Sequence, residues 1–213
     1  MSNSPHHSFT VKHATPDHPV HPLIANRFSP YVYDATRTVE PEKIRACFEA
    51  ARWSASSYNE QPWTFLVAHR EDAPEFRRML ECLLEANQAW AQHAGVLLIT
   101  VVNPTFKLNG QPNRVAEHDV GLAMGNLTFQ ASDLGLHVHQ MAGLDLDRAR
   151  EVYAIPETHR PLTAAAIGYA GPPETASLEM LAQRDSTPRT RKPLRDLVYA
   201  GHWGQPSSLV SGT

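Results

Sequence analysis

The segment Ser54-Ala55-Ser56-Ser57-Tyr58-Asn59-Glu60-Gln61-Pro62-Trp63-Thr64-Phe65 lies between an amphipathic helical pattern and a short apolar run. It concentrates hydroxyls, two amides, a carboxylate and aromatics in a dozen residues. Pro62 bars a helix from continuing, and the residue before a proline is pushed towards extended geometry. The backbone here is therefore a loop at the mouth of a strand. Loops held by rigid elements are where binding chemistry concentrates. Two readings stand side by side: an ordinary helix-to-strand connection, or a surface against which something flat and rich in hydrogen-bonding edges can lie.

Upstream, Pro41 suits a first helical turn, and Ile44, Cys47, Phe48 and Ala51 recur at helical spacing, predicting a helix over 41–52. Downstream, 64–68 reads as a strand, 74–86 as a helix, and the unbroken run 96–102 as a central strand covered on both faces. Residues 103–114, with Pro104, Gly110 and Pro112, form a loop long enough to wall a substrate site. A long helix follows over 115–134 and ends at Gly135. It is apolar nearly all round, with Gly121, Ala123, Gly125 and Ala131. A helix without a polar face must be covered on every side, which predicts a second subunit. A strand at 137–140, a helix at 146–154 capped by Asp145, a strand at 162–170 and a short helix near 178–183 complete the pattern.

The chain has 213 residues, 42% of them hydrophobic, enough for one sizeable domain. The division expected is an arm at 1–22, a single domain at 23–204 and a tail at 205–213. The arm carries five of the twelve histidines (His6, His7, His13, His18, His21) at irregular spacing, which suits a disordered or strapping segment. It has no apolar core of the kind a secretory signal needs. No run approaches the ~20 apolar residues of a membrane span. A net charge of −3 argues against nucleic acid as partner. Cys47 and Cys82 lie in helical patterns without a C-x-x-C spacing and read as reduced, buried thiols of a cytoplasmic protein.

In this acidic chain one tract is basic: Arg184, Arg189, Arg191, Lys192 and Arg195 stand against a lone acid, Asp185. Arg189 and Arg191, two apart in extended chain, point to one side. Taken alone the tract reads as a solvated basic tail; alternatively, paired guanidinium forks suit a phosphate, and Arg27 offers a third. Rossmann, P-loop, H-E-x-x-H and G-x-S-x-G signatures are absent. His137 and His139 share a strand face without a third ligand and read as packing or gating residues rather than a metal site. Glu117, His118 and Asp119 diverge around a helix, so they make no triad.

Taken together, these segments resemble the nitroreductase family of flavin oxidoreductases from Arg27 to Gly204. The resemblance rests on Arg27-Phe28-Ser29-Pro30, on Ser54 to Trp63, on Asp119 to Asn126 with Leu134-Gly135-Leu136, on Met141-Ala142-Gly143, and on Arg189 to Leu194. It implies an α+β fold with a mixed β-sheet sandwiched by helices, an intertwined homodimer, and two FMN molecules at the subunit interface. Arg27, Ser29 and Arg191 would hold the ribityl phosphate, with Arg189 assisting and Phe28 beside them. Ser56, Ser57, Asn59 and Gln61 would meet the ribityl chain and ring edge, some of them from the partner subunit. Met141 and the backbone at Ala142 and Gly143 would face flavin N5, where glycine allows close approach.

The activity implied is hydride transfer from NADH or NADPH, through N5, to a nitroaromatic, quinone or similar acceptor by a ping-pong mechanism. The cofactor carries the chemistry, so no catalytic side chain is required. The family often has Arg or Lys where this chain has Tyr31, which removes a cation from the expected pyrimidine edge. Two other readings of the resemblance stay open: the same fold with oxygen-dependent or flavin-degrading chemistry, and a non-catalytic flavin-binding protein.

Overall fold

The computed structural model describes residues 10–210; His6 and His7 lie outside that range. In chain order the helices are α1 (Pro22–Asn26), α2 (Pro41–Arg52), α3 (Ala73–Leu80), α4 (Glu85–Ala91), α5 (Ala116–Asp133), α6 (Leu146–Tyr153) and α7 (Glu179–Ser186). The strands are β1 (Trp63–His69), β2 (Val96–Val102), β3 (His137–Met141) and β4 (Arg160–Gly168).

The strands form one sheet in the order β1-β2-β4-β3. The α+β class expected from the sequence holds, but among the described residues every strand pairing is antiparallel rather than mixed. β2 is buried at all seven positions, and its alternating side chains feed two cores. Leu97, Ile99 and Val101 face a layer containing Phe76, Met79, Trp90, Leu144 and Leu181. Val96 and Leu98 face the opposite layer, with Ile44, Cys47, Met124, Leu127 and Ala131 from α2 and α5. The sheet is thus sandwiched by helices, and β3 is left as an edge strand.

The helix expected over 74–86 is interrupted. α3 stops at Leu80, and α4 begins at Glu85. Between them the chain turns and pairs elsewhere: Leu84 N–H donates to the Gly143 carbonyl (3.0 Å), and Asp145 N–H donates to that of Cys82 (2.8 Å). The apolar spacing of Leu83 and Leu84 marks contacts with residues 143–145, not another helical turn.

α5 fits its expected bounds to within a residue at each end. Gly135 follows it at φ 76°, and Leu136 N–H reaches back to the Ala131 carbonyl (2.8 Å), a left-handed termination that glycine allows. The single chain leaves part of α5 uncovered, the helix for which the sequence predicts a second subunit. Gly121, Leu122, Asn126 and Phe129 lie on an exposed face, with Leu122 at 41% and Phe129 at 38%. Both cysteines are free and buried, and burial pushes the Cys47 thiol up to about 11. Among the described residues no helix is long and apolar enough to cross a membrane.

The last part of the arm is packed. The buried Lys12 ammonium donates to the Arg184 carbonyl and, at 2.7 Å, to that of Thr187, satisfying the C-terminal end of α7. Ala14 N–H donates to the Ala25 carbonyl (2.9 Å) at the end of α1.

Candidate functional site

Arg27, Arg189, Arg191 and Lys192 line one pocket of about 620 Å³, with arm residues 14–18 forming another wall. Arg27 Nη1 donates to Ser29 Oγ at 3.2 Å, which joins the two positions of the Arg27-Phe28-Ser29 motif. Arg189 has a different task from Arg191. Its guanidinium donates to the carbonyls of Ala25 and Arg27, tying the tail to the end of α1. Arg191 donates only to the adjacent Thr190 carbonyl (2.7 Å), so its charge is available to the pocket.

Burial lowers the Arg27 pKa, and the like charges of Arg189 and Arg191 lower it further. Among the described residues no carboxylate pairs with any of these three arginines, and Arg189 Nε is buried without a hydrogen-bond partner. Asp17 is the one acid on the pocket wall. Clustered, partly desolvated guanidiniums without counter-ions form a binding site for an anion such as phosphate.

From this pocket the chain runs beside edge strand β3. Phe28, 2% exposed, sets its ring edge against His137 at the start of β3, with centroids 4.6 Å apart. The Pro30 carbonyl lies 2.7 Å from His139 Nδ1. Burial, with Arg27 nearby, pushes His137 down to about 4, so the imidazole is neutral at pH 7. Burial likewise lowers His139. Both imidazoles pack on aromatic rings, His137 on Phe28 and His139 on Tyr31 and Trp90. Among the described residues no group of His, Cys, Asp and Glu is placed to hold a metal ion.

Tyr31 packs edge-on against Trp90 and His139, beneath the Arg184 guanidinium. Asp185 fixes its backbone: the carboxylate accepts the N–H groups of Tyr31 (2.9 Å) and Val32 (2.8 Å).

At the far end of β3, Met141 is buried, Ala142 is exposed and the Gly143 carbonyl accepts the Asn87 side-chain amide (3.0 Å). A Cβ on Gly143 would run into Asn87 Nδ2. Within the chain, the group that comes close to Gly143 is the Asn87 side-chain amide. Four strand steps separate His137 from Met141, about 13 Å along the edge.

The Ser54–Phe65 loop gathers Ser56, Ser57, Asn59 and Gln61 at the other side of the molecule. Tyr58, Asn59 and Gln61 all have positive φ (52°, 56° and 50°), uncommon for residues with side chains and found where surroundings over-determine the backbone. The surroundings are specific. Asp119, 3% exposed, accepts the Ser57 N–H at 2.9 Å, and Ser56 Oγ accepts that of Gln61 at 3.0 Å. Gln61 Nε2 donates to the Asn59 carbonyl (3.1 Å). The Glu60 carboxylate accepts Lys107 N–H (3.1 Å), and the Tyr58 ring stands edge-on to Phe106, tying the loop to residues 103–114.

Asp119 sits in the first turn of α5, whereas Phe28 packs on His137 just beyond its last turn. From Asp119 to Asp133 is 14 residues of helix, about 21 Å. One chain therefore brings Arg27, Phe28, Ser29, Arg189 and Arg191 together with the β3 edge leading to Met141, Ala142 and Gly143. The loop of Ser56, Ser57, Asn59 and Gln61 is fastened at the other end of α5 from Phe28 and His137.

A family model described as the Nitroreductase family matches residues 24–169. The chain belongs to the nitroreductase family. Its match to a solved structure described as an oxidoreductase containing FMN has 32% identity and a TM-score of 0.82, covering 88% of this chain and 94% of that one. It is 26% identical to the major NAD(P)H-flavin oxidoreductase of Aliivibrio fischeri, over 85% of this chain and 98% of that protein. It is 34% identical to an uncharacterized 15.4 kDa protein of Mycolicibacterium smegmatis, over 67% of this chain and 98% of the relative. A nitroreductase family protein of Clostridium difficile shares the fold at 20% identity, with a TM-score of 0.66.

Sequence reasoning missed the residues that set these nitroreductase segments in place. Glu117 turns outward to Arg160, but His118 Nδ1 lies 3.1 Å from Asp119 Oδ1, so the expectation that all three diverge fails for His118 and Asp119. The inward direction of Asp119 and its role beneath Ser57 had no local signature. Asp185 did have one, being the lone acid in a tract of five cations. Lys12 had none.

Proposed function

We propose that this nitroreductase-family protein is an FMN-dependent oxidoreductase that takes reducing equivalents from NADH or NADPH and delivers them to a nitroaromatic, quinone or similar acceptor. The observation that carries the reading is the pocket of Arg27, Arg189 and Arg191, which lacks a paired carboxylate among the described residues. These residues fit the phosphate of FMN. Arg27 and Arg191 would take the phosphate oxygens, Ser29 Oγ would add a hydrogen bond, and Arg189 would hold the backbone of Arg27 in place. The edge of β3 spans a length suited to a ribityl chain, ending at Met141, Ala142 and Gly143 beside the ring.

The polar loop of Ser56, Ser57, Asn59 and Gln61 would close on the ring edge of a flavin held by the partner subunit. The homodimer this requires is supported by the exposed α5 face with Leu122 and Phe129, and by the tail, where Leu197 is 57% and Trp203 95% exposed. Gly121 and Gly125 leave open space on that face, so a second backbone can approach closely.

When bound, FMN supplies a two-electron carrier that accepts hydride from the nicotinamide and returns it to the acceptor. The chain's own part is orientation and exclusion of water. No side-chain nucleophile or base is needed. A single slot that donor and acceptor occupy in turn gives ping-pong kinetics, and near-contact positioning of the reacting atoms contributes much of the acceleration. Tyr58 and Phe106 form an aromatic lip beside the loop and would wall that slot.

The test is the visible spectrum of the purified protein before and after anaerobic NADPH. The reading predicts a flavin spectrum that bleaches on addition of the nucleotide and returns with a quinone. A bound flavin that stays yellow with NADH and with NADPH would point instead to the same fold with other chemistry.

A further inference from the structure

The arm is the part of the chain whose composition suggested least, yet its described residues are wired to the cationic pocket at three points. Lys12 is anchored on α7 through the carbonyls of Arg184 and Thr187. It lies in the field of Asp185, and that carboxylate holds the N–H groups of Tyr31 and Val32, directly after the Arg27-Phe28-Ser29 motif. Ala14 N–H donates to the Ala25 carbonyl, the same oxygen that accepts Arg189. Between that bond and α1, Thr15 and His18 stand on the wall of the pocket facing Arg27, Arg189, Arg191 and Lys192.

We propose that residues 12–18 are a latch on the cofactor's phosphate: Lys12 pins the strap, and Thr15 and His18 close the pocket over the anion. This rests on the FMN reading and assigns the arm a role within it. The strap covers the phosphate end alone, so its contribution is to phosphorylated flavin and not to the ring. A phosphate seated among Arg27, Arg191 and Lys192 would draw the hydroxyl and imidazole of the strap inward, and the strap would then slow its release. A free phosphate monoester would engage the same wall, but without the ring contacts at β3.

The experiment measures dissociation constants of FMN and riboflavin, by flavin fluorescence quenching, for the full-length protein and two variants. In Lys12→Met the pin is lost while the side chain stays long and apolar. In His18→Ala an exposed wall residue is removed, so folding is not at issue. The latch predicts at least a tenfold loss of FMN affinity in Lys12→Met, a several-fold loss in His18→Ala, and riboflavin affinity within twofold of the parent in both. It also predicts that amides of residues 13–18 gain hydrogen-exchange protection with FMN but not with riboflavin. Unchanged FMN affinity in both variants would overturn it, as would equal losses for FMN and riboflavin, which mark a merely structural role. A parent protein that binds neither flavin would bring down the cofactor reading itself, and the latch with it.

Discussion

The Asp119 carboxylate, 3% exposed, accepts the Ser57 backbone N–H at 2.9 Å and so fastens the polar loop to the first turn of α5. A hydrogen bond to a charged group contributes about 1.5–3 kcal/mol, and its loss leaves a buried donor unpaired. Asp119→Ala is expected to lower stability by that order in urea unfolding and to weaken flavin binding. Asp119→Asn, which keeps an acceptor oxygen, recovers most of both.

Arg191 and Arg189 are expected to separate cleanly. Arg191→Ala leaves a folded protein with an unchanged melting temperature, because Arg191 bonds only its neighbour's carbonyl. Its FMN affinity falls tenfold or more, matching loss of a charge-assisted contact of about 1.5–3 kcal/mol. Arg189→Ala also frees the carbonyls of Ala25 and Arg27, so its melting temperature falls as well. Calorimetry and fluorescence titration on the same preparations check both statements.

His137 gives the apoprotein a pH dependence. Its folded-state value of about 4 lies below the ordinary 6.5, chiefly through burial, so the unfolded chain binds the proton more readily. The stability contributed is complete above pH 6.5 and is lost as pH falls through 4. The difference is on the order of 3 kcal/mol. Urea midpoints of the apoprotein should drop between pH 7 and pH 4.5, and His137→Gln should flatten that part of the profile.

Gly143 and Asn87 are coupled. Gly143→Ala drives a methyl group into the Asn87 amide and breaks its bond to the Gly143 carbonyl, for a cost of about 1 kcal/mol or more. In an Asn87→Ala background the methyl meets Leu84 Cδ1 at an ordinary van der Waals distance of 3.6 Å, and the added cost of Gly143→Ala should largely vanish. A double-mutant cycle measures the difference.

Much of this was legible in the sequence, for identifiable reasons. α2 and β2 lie where their periodicity put them, since Ile44, Cys47 and Ala51 face one core and every residue of β2 is buried. Arg189, Arg191 and Lys192 of the basic tract meet Arg27 in one pocket. What was not legible depended on contacts distant in sequence. Leu83 and Leu84 extend the apolar spacing of α3 but bond to the turn at Gly143. The division of labour between Arg189 and Arg191 follows from where α1 ends, which no local pattern encodes. α5 carries apolar residues, Leu122 and Phe129, on a face its own chain leaves exposed, so the apolar pattern does not report the interior of the single chain alone.

The most direct test of the central claim, a flavin held by the cation pocket of one subunit and the polar loop of the other, is complementation. Arg191→Ala and an Asn59→Ala/Gln61→Ala double variant are each expected to bind FMN poorly. Subunits of the two, mixed and allowed to exchange, form heterodimers with one site carrying both defects and one carrying neither. The account predicts recovery of one tightly bound FMN per heterodimer. Mixed dimers that bind no better than their parents would place both half-sites in the same subunit and contradict it.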